Sequence, residues 1–311
     1  MKRVFIDGSA GTTGLRIRER LANRSGIELI ILPEELRKDP SARKDALNRA
    51  DIAFLCLPDT AAIEAVALVD NPDTAIIDTS TAHRTAEGWV YGFAELPGQR
   101  QRIAASKRIA NPGCHASGFI ALIAPLTHAG LLNKDAALCC TSLTGYSGGG
   151  KKMIAEYEAE ERSPLLDAPR QYGLNQQHKH LKEMTAVCGL TRAPAFMPIV
   201  GDFYSGMEVS VPLFADQLKG NIDDVKAAYR SAYAGPVVNF AEAVDESGFL
   251  SAGALSGRDD MQISVAGNGE RVLVTARFDN LGKGASGAAL QNMNLLLGLD
   301  ETEGLVIGCH G

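Results

Sequence analysis

Lys2–Gly14, KRVFIDGSAGTTG, opens the chain with a short apolar run that passes into three glycines. Lys2 to Asp7 reads as a strand, and Thr12 to Arg24, with apolar Leu15, Ile17 and Leu21, reads as a helix. The loop between them, Gly8-Ser9-Ala10-Gly11-Thr12-Thr13-Gly14, sits where a dinucleotide pyrophosphate is bound in a strand–loop–helix unit. Glycines let the backbone approach the phosphates, and the free amides of a helix start carry positive partial charge. The spacing is GxxGxxG instead of GxGxxG. Gly8, Ser9, Gly11, Thr12, Thr13 and Gly14 are therefore the candidate pyrophosphate contacts.

Outward from this loop the alternation continues. Ile27 to Leu32 reads as a second strand, and Asp51 to Leu57, closed by Pro58, as a third. Ala61 to Val69 reads as a helix and Thr74 to Asp78 as a fourth strand. Continuous apolar strands separated by helices indicate a parallel sheet covered on both faces, with ligands at its carboxyl ends. After the second strand come Glu34, Glu35, Arg37 and Lys38. The two cations suit a ribose 2′-phosphate and the carboxylates a free 2′-hydroxyl; the reading favours NADP.

From about residue 135 the texture changes. Met207 to Phe214, Met261 to Ala266 and Val272 to Phe278 lie close together with short turns, which indicates a second, mostly antiparallel sheet. Asp223 to Tyr233 reads as a helix on one of its faces. Gly284 to Leu299 starts with small residues and continues through Leu290, Met293, Leu296 and Leu297 as a last helix. The fold class is α/β: a Rossmann-type NADP-binding domain plus an α+β catalytic and dimerisation domain.

With 311 residues, the chain has room for two domains, and 45% hydrophobic against 22% charged residues is the balance of a globular protein. The net charge of -6 and the lack of a basic stripe give a nucleic-acid partner no electrostatic support, and none is expected. No apolar run is long enough to span a bilayer, and the first is too short for a signal peptide, so a cytoplasmic protein is expected. Cys56, Cys114, Cys139, Cys140, Cys188 and Cys309 include no CxxC pair and read as free thiols in a reducing compartment.

Only Cys114 lies in turn chemistry, in Asn111-Pro112-Gly113-Cys114. The Pro-Gly turn places it at the start of an Ile- and Leu-rich helix, where the local field favours a thiolate and free amides can hold an oxyanion. A thiol nucleophile works with an imidazole partner. Of His83, His115, His128, His178, His180 and His310, the pair His178-Lys179-His180 opens an amphipathic stretch. His115 follows Cys114 directly but points about 100° away on a helix, so it reads as a supporting residue. Arg84, Arg108 and Lys151 are candidate anion contacts. Metal-ligand spacing is absent, since one His-x-His pair is a poor zinc site.

At these residues the chain resembles the N-acetyl-γ-glutamyl-phosphate reductases, relatives of aspartate-semialdehyde dehydrogenase, and the shorter of that family's two forms in particular. The most specific pieces are Asn111-Pro-Gly-Cys114 and the run from Asp279 to Asn294, DNLGKGASGAALQNMN. Asp78-Thr-Ser80-Thr-Ala-His-Arg84, Tyr91-Gly-Phe-Ala-Glu95-Leu and Ser142-Leu-Thr-Gly-Tyr-Ser-Gly-Gly-Gly-Lys151 support them. The resemblance implies that Cys114 carries the acyl group and that His180, or else His178, is its base. It implies cofactor contacts at Ser80 and Asn280, and substrate contacts at Arg84, Asn111 and Lys151. Segments 1–114 and 285–311 would form the NADP-binding domain, and 115–284 the catalytic and oligomerisation domain of a dimer or tetramer. NADPH and an acyl phosphate are the implied reactants, with phosphate released. Leu181-Lys182-Glu183 departs from longer relatives, which carry Pro before the Glu. Three rival readings are the same chemistry on aspartyl or carrier-linked aminoadipyl phosphate, a cysteine hydrolase, and a nucleotide-sensing regulator. The glycine loop argues against the hydrolase, and Cys114 together with the histidine pair argues against the regulator.

Overall fold

Alternation of buried strand and covering helix builds the first of two units in the computed structural model, which describes residues 1–244 and 246–308. Cys309 and His310 lie outside the described residues. The first unit comprises Met1–Ala94, Gly98–Pro112 and Ala285–Leu305; the second comprises Glu95–Pro97, Gly113–Gly284 and the described residues from Val306 onward.

The first unit runs β1 (Lys2–Asp7), α1 (Thr12–Leu21), β2 (Ile27–Ile30), α2 (Pro40–Arg49), β3 (Ile52–Leu55), α3 (Asp59–Ala67), β4 (Ala75–Asp78), β5 (Val90–Tyr91), α4 (Gln99–Ala104) and β6 (Arg108–Ala110). Its sheet has the order β2-β1-β3-β4-β6-β5, and every neighbouring pair is parallel. All residues of β3 and β4 are buried, as strands covered on both faces require. Ile17 and Leu21 of α1, with Leu290 and Met293 of the C-terminal helix Gly287–Leu297, pack on Val4, Ile6, Ile52 and Phe54. Ala46 and Leu47 of α2 and Ala65 of α3 cover Phe5, Ala53, Leu55 and Ile76 on the opposite face. Each Ile, Leu or Phe so buried contributes about 1.5–3 kcal/mol.

One expectation changes here, and one helix is new. Leu15 does not belong to the apolar face of α1; it is 39% exposed, while Ile17 and Leu21 carry the packing. Helix α2 is unmarked by apolar periodicity because it buries only Ala46 and Leu47. Its signals are local: Asp39 accepts from the Ala42 amide as N-cap, and Pro40 occupies the first position.

The second unit runs α5 (Cys114–His128), β7 (Cys139–Gly145), α6 (Gly150–Tyr157), β8 (Arg170–Gln171), α7 (Leu181–Val187), β9 (Ala195–Gly201), β10 (Met207–Phe214), α8 (Ile222–Ala232), β11 (Val238–Phe240), β12 (Met261–Gly267) and β13 (Arg271–Phe278). The sheet order is β11-β12-β13-β10-β7-β9-β8. It is mixed: β11–β12 and β7–β9 are parallel, while the remaining pairs are antiparallel. The parallel β7–β9 pair arises because the connection between them crosses over through α6 and α7.

Helix α5 is apolar around most of its surface and packs on β10, β13, α7 and α8. It approaches the sheet closely because Gly118 has no side chain; a Cβ there would stand 2.4 Å from Val209 Cγ2. Pro125 inside α5 removes the amide that the Ala121 carbonyl would accept from. The Tyr233 hydroxyl donates to that carbonyl at 2.7 Å and replaces the lost bond. The opposite face of the sheet carries a polar row, with Glu208, Arg277 and Gln262 in register.

Candidate active site and cofactor cleft

Cys114 is the first residue of α5, after an extended Gly113 at the N-cap. The amides of the first turn have no acceptor within the helix and point along its axis toward the thiol's end. The thiol is half-buried, whereas Cys140 and Cys188 are buried and held as thiols by burial, which raises both above the usual range. A Cβ on Gly284 would come within 2.9 Å of the Cys114 Cβ, so a residue without a side chain is required beside the cysteine. The turn carrying Gly284 is anchored by Lys283, whose buried ammonium donates to both Glu95 oxygens at 2.9 and 2.8 Å.

The structure gathers the imidazoles around His115. Its Nδ1 lies 2.6 Å from Ser142 Oγ and its Nε2 lies 2.6 Å from the Tyr172 hydroxyl. The rings of His178 and His180 stand 5.7 and 5.6 Å from it, and 4.7 Å from each other. Burial, reinforced by the neighbouring His178, pushes His115 down to about 3. It is therefore neutral at ordinary pH, one ring nitrogen donating and the other accepting, and it works as a spacer. Burial, with Cys114 nearby, raises the Tyr172 hydroxyl.

His180 is the N-cap of α7, and its Nε2 lies 4.0 Å from Glu183 Oε1 one turn further on. The other Glu183 oxygen accepts from the Gly113 amide at 3.2 Å. One carboxylate thus faces both the start of the cysteine helix and a buried imidazole. The His180 amide donates to His178 Nδ1 at 3.3 Å, which requires that nitrogen to be unprotonated. Sequence reasoning left Glu183 unplaced and passed over Tyr172 and Ser142. Its one available signal was the three-residue step from His180 to Glu183, one helical turn.

In the first unit, a cavity of about 690 Å³ opens at the carboxyl ends of β1 and β2, lined by Gly8, Ser9 and Ala10. Glu34, Arg37 and Lys38 line it after β2, joined by Arg18 and Arg43. Gly8 adopts φ +86°, and a Cβ there would stand 2.2 Å from the Cys56 carbonyl oxygen, so the loop is closed to any other residue. Thr12 Oγ1, at the first helical position, is buried without a hydrogen-bond partner among the described residues. A glycine cradle, an unfilled hydroxyl at a helix start and cations beside the second strand fit a dinucleotide phosphate. Asp7, at the end of β1, is raised by burial, and Arg43 counteracts this by donating to Asp7 Oδ2 at 3.0 and 2.8 Å.

Several other expected residues have their groups engaged by neighbours. Asn111 donates to the Ala285 carbonyl and accepts from Asn292, at 3.0 and 3.1 Å. Arg84 donates to the carbonyls of Asn111 and Thr79, and so braces the ends of β4 and β6. Ser80 donates to Asp78 at 2.7 Å. Asn280, in the second unit, accepts from the Gly206 amide and donates to Ser147, both at 3.0 Å. Lys151 is exposed in the first turn of α6. Arg108 begins β6 and donates to the Thr74 carbonyl, at the end of the strand away from the carboxyl edge, so it is not placed for an anion there. Among the described residues no group of three metal-ligating side chains is assembled, and no helix is long and apolar enough to cross a membrane.

Residues 32–105 match the family model described as semialdehyde dehydrogenase, NAD binding domain, and residues 114–280 match semialdehyde dehydrogenase, dimerisation domain. The N-acetyl-gamma-glutamyl-phosphate reductases of Brucella ovis and Brucella melitensis are each 48% identical over 306 residues, covering 95% of this chain and 99% of theirs. Among solved structures, aspartate semialdehyde dehydrogenase II of Vibrio cholerae superposes with a TM-score of 0.71 at 15% identity, over 96% of this chain and 98% of its own. The Francisella tularensis aspartate semialdehyde dehydrogenase gives 0.71 at 15%, over 96% and 100%. At that identity these two structures share the fold. The identity over nearly the whole chain goes further: this chain belongs to the N-acetyl-gamma-glutamyl-phosphate reductase family of semialdehyde dehydrogenases.

Proposed function

We propose that this protein reduces N-acetyl-γ-glutamyl phosphate to N-acetylglutamate 5-semialdehyde with NADPH, releasing phosphate, as a step of arginine biosynthesis. The observation that carries the reading is Cys114 at the free start of a buried helix whose N-cap amide shares a carboxylate with His180. His180 takes the thiol proton, and the Cys114 sulfur attacks the acyl carbon. First-turn amides of α5 hold the oxyanion, phosphate leaves and a thioester forms. NADPH, when bound, supplies the hydride that reduces this thioester. Collapse of the resulting hemithioacetal breaks the carbon–sulfur bond and frees the aldehyde, and His180 returns the proton to sulfur. Glu183 orients His180, while His178, with Nδ1 occupied by the His180 amide, is the second candidate for the base.

The first unit would hold the cofactor: Gly8, Ser9, Gly11, Thr12, Thr13 and Gly14 at the pyrophosphate, with Arg37 and Lys38 at the 2′-phosphate. The second unit would carry the acyl chemistry. Lys151 remains a substrate-anion contact in this reading, whereas Arg84, Asn111, Ser80 and Asn280 act by holding the backbone around the two sites. The polar sheet face bearing Glu208, Arg277 and Gln262 would serve self-association into a dimer or tetramer, a reading supported by the matched dimerisation domain. Buried free thiols suit a reducing, cytoplasmic setting.

The test is NADP reduction by the purified protein with N-acetylglutamate semialdehyde, with and without phosphate. Phosphate-dependent reduction that Cys114→Ser lowers by on the order of a thousandfold or more is expected. Activity surviving in Cys114→Ser would overturn the thioester route, and a preference for aspartate semialdehyde would overturn the substrate.

A further inference from the structure

The segment that delivers His178 and His180 is held by a side chain that substitutes for a strand. β8 pairs with β9 through Arg170–Val200 and Gln171–Ile199, and the Tyr172 amide extends the ladder to the Pro198 carbonyl at 3.0 Å. There the backbone leaves the sheet: Gly173 turns at φ 63° and the Gln176 amide closes onto the Gly173 carbonyl. Phe196, two residues further along β9, would lose its edge partners at this point. Gln176 supplies them from its side chain. Its Nε2 donates to the Phe196 carbonyl at 2.7 Å, and its Oε1 accepts from the Phe196 amide at 2.8 Å. The primary amide thus reproduces both halves of a peptide group in a ladder.

Two further observations make this clamp more than a surface bond. Gln176 is at φ 56°, a left-handed conformation that a residue with a side chain avoids unless its surroundings hold it there. Leu174, two residues before it, is 74% exposed, so that side chain does not anchor the turn. The Phe196 ring, fixed by the same clamp, stands 5.4 Å from His115 and 5.1 Å from His178. The clamp lies between Tyr172, which bonds His115, and His178, which precedes the proposed base.

We propose that Gln176 is a positioning residue that sets the His178–His180 segment against Cys114. The proposal rests on Cys114 being the nucleophile with an imidazole partner. Gln176→Gly keeps the backbone conformation and removes the clamp. Gln176→Asn tolerates the left-handed backbone but is one methylene short, and Gln176→Met keeps the size without the polar atoms. Each is expected to fold, to keep the KM for NADPH within about twofold, and to lose kcat by on the order of tenfold to a hundredfold, the cost of a small misplacement. Iodoacetamide labelling, followed at the Cys114 peptide across pH, should shift toward alkaline values in all three variants. A Gln176→Gly protein with the wild-type kcat and labelling profile would overturn the proposal, as would labelling unchanged alongside a simple loss of thermal stability. Labelling does not need the substrate. A wild type that turns over no acyl phosphate, yet shows the labelling shift in the variants, would sink the reaction and leave the clamp standing.

Discussion

The cofactor cleft and the thiol–imidazole cluster are built from different materials. The cleft is mainly backbone: three glycines, a helix start and a few cations on one continuous stretch from Lys2 to Arg43. The cluster is mainly side chains, brought from α5, β7, the loop after β8 and α7, each held by another. A backbone site tolerates changes of side chain but not the addition of one. A side-chain site tolerates little change in hydrogen-bonding groups, yet each of its residues is individually replaceable without a steric clash.

The larger of two kinetic effects tests the first half of that contrast. Gly8→Ala places a methyl group 2.2 Å from the Cys56 carbonyl oxygen at a φ of +86°. One methyl there should lower kcat/KM for NADPH by on the order of a hundredfold or more, because the loop cannot keep its shape around the phosphates. Cys114 labelling by iodoacetamide should stay at the wild-type rate, since Cys114, Tyr172, His178, His180 and Glu183 belong to the second unit and Gly8 to the first. Equal damage to both readouts would erase the distinction.

Glu183→Gln probes the other half at nearly constant volume. The amide oxygen can still accept from Gly113, so the start of α5 is retained, while the charge 4.0 Å from His180 Nε2 is lost. A fall in kcat on the order of tenfold is expected, with the KM for NADPH unchanged and slower Cys114 labelling at pH 7. If kcat holds and only thermal stability drops, Glu183 is a helix anchor and nothing more.

The same contrast explains what could be read from the sequence. β1 and β10 occupy the very residues whose apolar pattern marks them, Lys2–Asp7 and Met207–Phe214, because burial writes a period into the chain. The glycine loop is legible for a related reason: a close backbone approach demands glycine at fixed positions. Helix α2 is not legible, since two small apolar residues make no period. Neither is the parallel β7–β9 pair, whose register is fixed across a long crossover and not by any turn. Within the cluster, Cys114, His178 and His180 stand out by residue type and local context. Glu183, Tyr172 and Gln176 do not, because their partners at Gly113, His115 and Phe196 are distant in sequence. Asn111, Arg84 and Asn280 show the converse limit. Sequence marks a polar residue near a site, but only the fold shows which neighbours its groups hold.

The smallest expected effect concerns the spacer at the centre of the cluster. His115 titrates near 6.5 in an unfolded chain and is held to about 3 in the folded one, by burial first and by His178 second. The unfolded state therefore binds the extra proton as pH falls below 6.5, and the folded state refuses it until about 3. Stability should be full above 6.5 and decline through that window, by roughly 2 kcal/mol between pH 7 and 5 from this residue alone. Urea unfolding of wild type and His115→Asn at the two pH values measures it. The variant starts less stable, because Ser142 and Tyr172 lose their imidazole partner, but it should lose about 2 kcal/mol less on acidification. Parallel acid losses in the two proteins would mean that His115 takes up a proton in the native state. A charge would then sit beside the two candidate bases, and the division of labour between a neutral spacer and a working imidazole would have to be redrawn.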